Sequence, residues 1–146
     1  INDWAHVVLN YPEHKVILHA SMLVAGGTAR FTAHGDKGSV VKARIDQQEA
    51  QLLAGVIPGS ETWGEDGDSM VFFGADGAPQ TIPTPKGDQR QYYVNVRDAL
   101  LGKITNPVHP VEALAVMAVL EAAVKSSETG STQPLALTAE ERALLG

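Results

Sequence analysis

At 146 residues and 44% apolar, the chain is long enough for a single domain, 1–146, with a core of its own. Its formal net charge of −6 argues against a phosphate-backbone partner, so no nucleic acid is expected. The absence of cysteine excludes a disulfide framework, a thiolate metal site and a thiol nucleophile.

No stretch approaches the roughly 18 apolar residues of a membrane span, and residues 1–20 lack the basic start and apolar run of a signal peptide. A cytoplasmic protein without a membrane partner is therefore expected. The chain starts at Ile1 with no methionine, inside what reads as a strand approach, and is taken for a piece of a longer protein.

Residues 4–11 and 16–23 are apolar and β-branched, broken by Pro12-Glu13-His14-Lys15, a hairpin signature. Pairing Tyr11 with Val16 sets Leu9 against Leu18 and puts Trp4, His6, Val8, His19, Ser21 and Leu23 on the opposite face. Gly26-Gly27 turns the chain into a third strand, Ala29–His34, and Ser39–Ile45 is the fourth. Gly38 at positive φ would act as a bulge between them, setting Phe31 against Ala43 and Ala33 against Val41. Arg30, Thr32, Lys42 and Arg44 then share a face, which reads as a solvated cationic strand surface or an anion contact.

Asp46 through Leu53 has capping-box spacing, with Asp46 as N-cap and Glu49 three residues on. The loop Glu61–Asp68 is acidic, lacks a calcium ligand ladder and reads as solvated. Met70–Phe73 and Gln80–Ile82 are two further strands, followed by a stiff connector containing Pro83, Pro85 and Gly87. From Asp88 the period becomes helical. Tyr92, Tyr93, Val96, Ala99 and Leu100 recur to a stop at Gly102. A second helix opens at Pro110 behind His109 and ends before Gly130. Pro134–Leu137 is predicted as an edge strand, and Thr138 with Glu141 as a terminal capping box.

Strands followed by helices predict α+β: a mostly antiparallel open-faced sheet with helices packed on one side and the other face open for dimerisation. Trp4, Val8 and Leu23 on that open face predict a homo-oligomer, because monomers rarely expose large apolar patches. His6 and His19 share a hairpin face, and His34 is expected further across the same sheet. No carboxylate is spaced to join them, so they read as strand histidines at an interface and no metal is expected.

The order strand, His34-Gly35-Asp36-Lys37-Gly38-Ser39, strand, Asp46-Gln47-Gln48-Glu49, Leu52-Leu53-Ala54-Gly55, Trp63-Gly64 resembles the C-terminal domain of the Gfo/Idh/MocA family of NAD(P)-dependent oxidoreductases. The similarity continues through Tyr92–Gly102 and Ala113–Ser127. The resemblance implies a parent enzyme acting on a sugar, inositol or related polyol. This part would wall the substrate cleft and join subunits through the open sheet. No G-x-G-x-x-G lies between a strand and a helix, so NAD or NADP belongs to the full-length protein and none is expected on this chain. Thr84-Pro85-Lys86 lacks the Glu of the family's Glu-Lys-Pro, and Asp3 and His6 are one residue too close for its Asp-x-x-x-His. No catalytic residue is assigned, and the chain alone is expected to be inactive.

In the family a Tyr or other polar side chain near the start of the Tyr92 helix faces the sugar cleft. Helix order carries this onto Tyr92 or Tyr93, with Arg90, Gln89 and Gln91 as donors at the same end. Adjacent helical positions diverge by about 100°, so one tyrosine can enter the core while the other points to the rim. A packing role for both stays open, as does a non-catalytic protein-interaction or scaffold module.

Overall fold

A computed structural model describes residues 3–145. Its elements are β1 (Trp4–Asn10), β2 (Lys15–Ser21), β3 (Phe31–Gly35), β4 (Gly38–Lys42), α1 (Gln48–Leu53), β5 (Met70–Gly74), β6 (Pro79–Ile82), α2 (Arg90–Leu100), α3 (Pro110–Thr129) and α4 (Ala139–Ala143). The class is α+β, and every strand pairing is antiparallel. The strands form a two-stranded sheet, β1-β2, and a four-stranded sheet, β3-β4-β5-β6. Two compact units result, residues 3–22 with 95–145, and residues 23–94.

In the first unit, Pro12-Glu13 closes the hairpin, with the Tyr11 N–H donating to the His14 carbonyl at 3.0 Å. The register sets Leu9 against Val16, Val7 against Leu18 and His6 against His19. This corrects the expected pairing of Tyr11 with Val16. Because the shift is two residues, each side chain keeps its expected face. Val7, Leu9 and Val16 are half-buried, whereas Trp4 and Ile17 on the other face are 54% and 61% exposed. Val119, Ala122 and Ala123 of α3 line a groove of about 710 Å³ with residues 6–11. The α3 helix starts at Pro110 after N-cap His109, whose backbone N–H donates to the Glu112 carboxylate, and stops at Gly130 in the left-handed region.

Residues 134–137 are not a strand. The Leu137 N–H folds back on the Leu135 carbonyl at 2.9 Å, and Arg142 donates to that carbonyl at 2.6 Å, so no ladder forms. Thr138 does cap α4, accepting the Glu141 N–H at 3.1 Å while the Glu141 carboxylate accepts the Thr138 N–H at 2.7 Å.

In the second unit, the β3–β4 register departs from expectation by one residue. Phe31 opposes Lys42 and Ala33 opposes Val40, so Lys42 shares a face with Phe31, not with Arg30 and Thr32. Gly38 is not a bulge. It sits opposite Gly35 across a two-residue Asp36-Lys37 turn, and its φ of +153° excludes most side chains. A Cβ there would stand 2.5 Å from the Phe73 carbonyl of β5, so the close approach of the third strand demands glycine. Among the described residues no helix is long and apolar enough to cross a membrane.

Candidate functional site

The start of α1 governs the polar architecture of the second unit. Asp46 is not the N-cap. Gln47 holds that position without a side-chain cap, and Asp46 Oδ1 instead accepts the Gln48 N–H at 3.0 Å, an Asx turn. The turn carries the Gln48 side chain inward until the residue is 2% exposed. Burial of a primary amide is tolerated only if its bonds are made. Here Nε2 donates to Asp46 Oδ2 at 2.9 Å, and Oε1 accepts the Gln89 backbone N–H at 2.8 Å. The Gln89 side chain returns to Asp46 Oδ1 at 3.1 Å.

Trp63-Gly64 closes the same clamp from another loop. The Gly64 N–H donates to Gln51 Oε1 at 2.8 Å, and the Gly64 carbonyl accepts the Gly87 N–H at 2.9 Å. Trp63, only 3% exposed, donates Nε1–H to Asp88 Oδ1 at 3.3 Å. Asp88 also accepts Arg90 Nε–H at 2.8 Å, Arg90 Nη2–H at 2.9 Å and Gln91 Nε2–H at 3.2 Å. The Arg90 guanidinium, followed by the Gln91 amide, holds the Asp88 carboxyl far below the usual carboxylate range. Three stretches distant in sequence, 46–51, 62–65 and 87–91, thus fix the first turn of α2.

A second cluster corrects the reading of the cationic strand face. Lys42 is buried, and its Nζ donates to Asp66 Oδ2 at 2.9 Å, Asp68 Oδ2 at 2.9 Å and the Asp68 carbonyl at 2.8 Å. Asp68 Oδ2 also accepts the Arg44 N–H at 2.7 Å. The acidic loop is therefore not wholly solvated, since Asp66 and Asp68 fold onto Lys42. That pairing explains how a lysine can share a face with Phe31. Burial opposes the Lys42 charge, but hydrogen bonds to Asp68 and Asp66 outweigh it and raise its pKa. Hydrogen bonds from Lys42, then from the Asp68 and Arg44 backbone N–H groups respectively, depress the Asp66 and Asp68 carboxyls.

These shifts all stabilise charge: Asp66, Asp68, Asp88 and Asp98 move down, while Lys42, Arg90 and Arg97 move up. A proton-transfer catalyst needs the opposite, a value brought toward neutrality. Lys42 with Asp66 and Asp68 ties β4 to the 66–68 loop, whereas Arg97–Asp98 pairs adjacent residues on the surface of α2. Lys86, in the faint Thr84-Pro85-Lys86 likeness, donates to the Glu61 carbonyl.

Of the three residues singled out from the sequence, the structure brings Arg90, Tyr92 and Tyr93 together on the first turn of α2. Neither tyrosine enters a core. They are 65% and 73% exposed, with rings 5.2 Å apart and edge to face. Among the described residues neither phenol hydroxyl has a hydrogen-bond partner. Arg90 is committed to Asp88 and lies against Gly59, where a Cβ would overlap its Nη1. It positions the turn, and the phenols are what the turn displays. Sequence reasoning gave no role to Gln48, Gln51 and Trp63. The available signal was an amide-rich run beside a Trp-Gly pair where a soluble loop needs neither.

The oxidoreductase family, C-terminal alpha/beta domain, matches residues 2–137. The chain belongs to the Gfo/Idh/MocA family. It is 38% identical to the uncharacterized oxidoreductase YdgJ of Escherichia coli over 92% of its own length and 40% of that protein's. It is 31% identical to the scyllo-inositol 2-dehydrogenase (NADP(+)) IolW of Bacillus subtilis, over 89% of this chain and 38% of the relative. A crystal structure of a protein assigned as an oxidoreductase from Klebsiella pneumoniae superposes with a TM-score of 0.93 at 68% identity, covering 99% of this chain and 41% of that one. This member of the family thus spans about 40% of the length of the relatives it matches. A Cβ added at Gly38 would meet Phe72 and Phe73, and one at Gly64 the Gly87 carbonyl, so neither of these two glycines leaves an open backbone cradle at a helix N-terminus.

Proposed function

We propose that the chain is the substrate-side and assembly portion of a longer NAD(P)-dependent oxidoreductase acting on a sugar, inositol or related polyol. The observation that carries this reading is the match over nearly the whole chain to only 40% of YdgJ and 38% of IolW, a named inositol dehydrogenase. The nicotinamide belongs to the part of the longer protein outside these residues. What this portion contributes is a rigid wall: the Gln48–Trp63–Asp88 clamp immobilises the start of α2 and presents the Tyr92 and Tyr93 hydroxyls outward. Phenols held on a fixed turn suit a polyol, because each hydroxyl both donates and accepts.

The test uses the full-length protein with NAD or NADP and a panel of inositols and aldoses. One of Tyr92→Phe and Tyr93→Phe is expected to lower kcat/KM about 3- to 10-fold, as loss of one neutral hydrogen bond does, and the other to be silent. Turnover of no sugar or polyol would overturn the substrate class. Two silent variants would remove the tyrosines from the cleft.

The assembly role rests on the open hairpin face carrying Trp4, Val8 and Ile17, all exposed. A second copy laid on it is the proposed cover, so sedimentation at micromolar concentration should give twice the 15.5 kDa chain mass. A single 15.5 kDa species would dismiss it. We place the protein in the cytoplasm on its lack of cysteine, which suits a reducing compartment.

A further inference from the structure

The hairpin face holds a feature that the oxidoreductase reading does not use. We propose that His6 and His19 form an open, two-histidine site for a divalent transition-metal ion of tetrahedral preference, with zinc the best fit. His6 lies directly opposite His19. Ladder hydrogen bonds fall on the odd-numbered positions of β1: the Asp3 carbonyl accepts from Met22 at 2.9 Å, and Tyr11 donates to His14 at 3.0 Å. His6–His19 is therefore a non-hydrogen-bonded pair, the class in which opposed side chains stand closest.

The two Nδ1 atoms are 3.4 Å apart. One ring N–H donates to the other ring nitrogen across that separation, a long N–H···N bond that a cation would replace. The separation matches the edge of a tetrahedron whose metal–nitrogen bonds are about 2.0–2.1 Å, which is about 3.4 Å. An octahedral edge with the same bonds is about 2.9 Å. The spacing lies nearer the tetrahedral edge than the octahedral one. With a cation present, both rings turn their Nδ1 lone pairs to it and keep the proton on Nε2.

Trp4 holds the rings in place. It stacks on His6 with centroids 6.2 Å apart and planes 13° from parallel, and meets His19 edge-on at 5.9 Å. Rings restrained in this way give up less rotamer freedom on binding. Both histidines are exposed, so the ion enters without unfolding. Among the described residues no third His, Cys, Asp or Glu joins them, and water takes the remaining positions. The site is consequently an exchangeable surface site, not a zinc that holds the fold. Both ligands come from one hairpin, so the site stands independently of the substrate reading, but it lies on the face that carries Trp4, Val8 and Ile17, so zinc and a second copy laid there would compete.

Zinc chloride titrated calorimetrically into the chain tests the proposal. Saturable binding is expected, and His19→Gln or His6→Gln should weaken it at least about tenfold. Nickel should quench Trp4 fluorescence, and zinc should reverse the quenching. His34→Gln is the matched control, because His34 belongs to the other sheet and contacts Ser39 Oγ at 2.8 Å. Long-range nitrogen–proton spectra of the unsubstituted chain provide a readout that needs no variant: zinc should move two Nδ1 resonances together. Equal affinity in wild type and His19→Gln, or no zinc-induced Nδ1 change, would overturn the assignment.

Discussion

Gly64→Ala is expected to destabilise the chain by about 3 kcal/mol or more, lowering the thermal midpoint on the order of 10 °C. Two effects add. The residue adopts φ +74°, where a Cβ is strained, and that Cβ would stand 1.8 Å from the Gly87 carbonyl oxygen. Neither neighbour can yield readily: the Gly64 N–H is held by Gln51 and the Gly87 N–H by Gly64 itself. Gly67→Ala, three residues away with open space around it, should stay within about 0.5 kcal/mol. Thermal melts followed by circular dichroism compare the two. Equal midpoints would mean that the 64–87 contact does not constrain the connector. Because that contact fixes the turn carrying Tyr92 and Tyr93, Gly64→Ala in the full-length protein should also lose turnover more than Gly67→Ala does.

Lys42→Met should cost on the order of 5 °C in the same melt, since it leaves Asp66 and Asp68 folded together without their cation. A solvated strand lysine, as periodicity alone suggests, would change it by a degree or less. The pH dependence carries the same signature. Asp66 and Asp68 titrate below the ordinary 3.8 in the folded chain, so their contribution is present above that value and lost as pH falls through the folded pKa. Lys42 titrates above 10.5, so its contribution is complete below that value and lost only as pH rises through its folded pKa. Stability due to the cluster is thus flat across neutrality and falls at both extremes. In Lys42→Met, any dependence on the lysine disappears from the alkaline limb. An unchanged alkaline limb would refute the pairing.

The comparison of the two hairpins separates local from long-range information. In β1–β2 the expected faces hold although the register moves by two, because alternation of Val7 and Leu9 with Trp4, His6 and Val8 is a period-two property of the strand itself. In β3–β4 the register moves by one and the faces exchange. Gly38 was a correct signal of a special backbone position. Its cause, the Phe73 carbonyl of β5, lies far along the chain. Asp46 shows the same limit: an acidic residue before a helix suggests a cap, but the partners it takes include the side chain of Gln89.

The sequence by itself determined the α+β class, the helix stops at Gly102 and Gly130, the Thr138 cap and membership of an oxidoreductase family, because each depends on neighbours within a few residues or on the order of short motifs. Only the tertiary structure decided that Lys42 is a buried cation and Gln48 a buried amide, that Arg90 serves Asp88 and leaves the phenols exposed, and that two imidazoles converge to 3.4 Å. The physical reason is common to all of them. A polar side chain has several partners of nearly equal worth, and which one it finds is set by the chain segment that arrives beside it, not by its own position in the sequence.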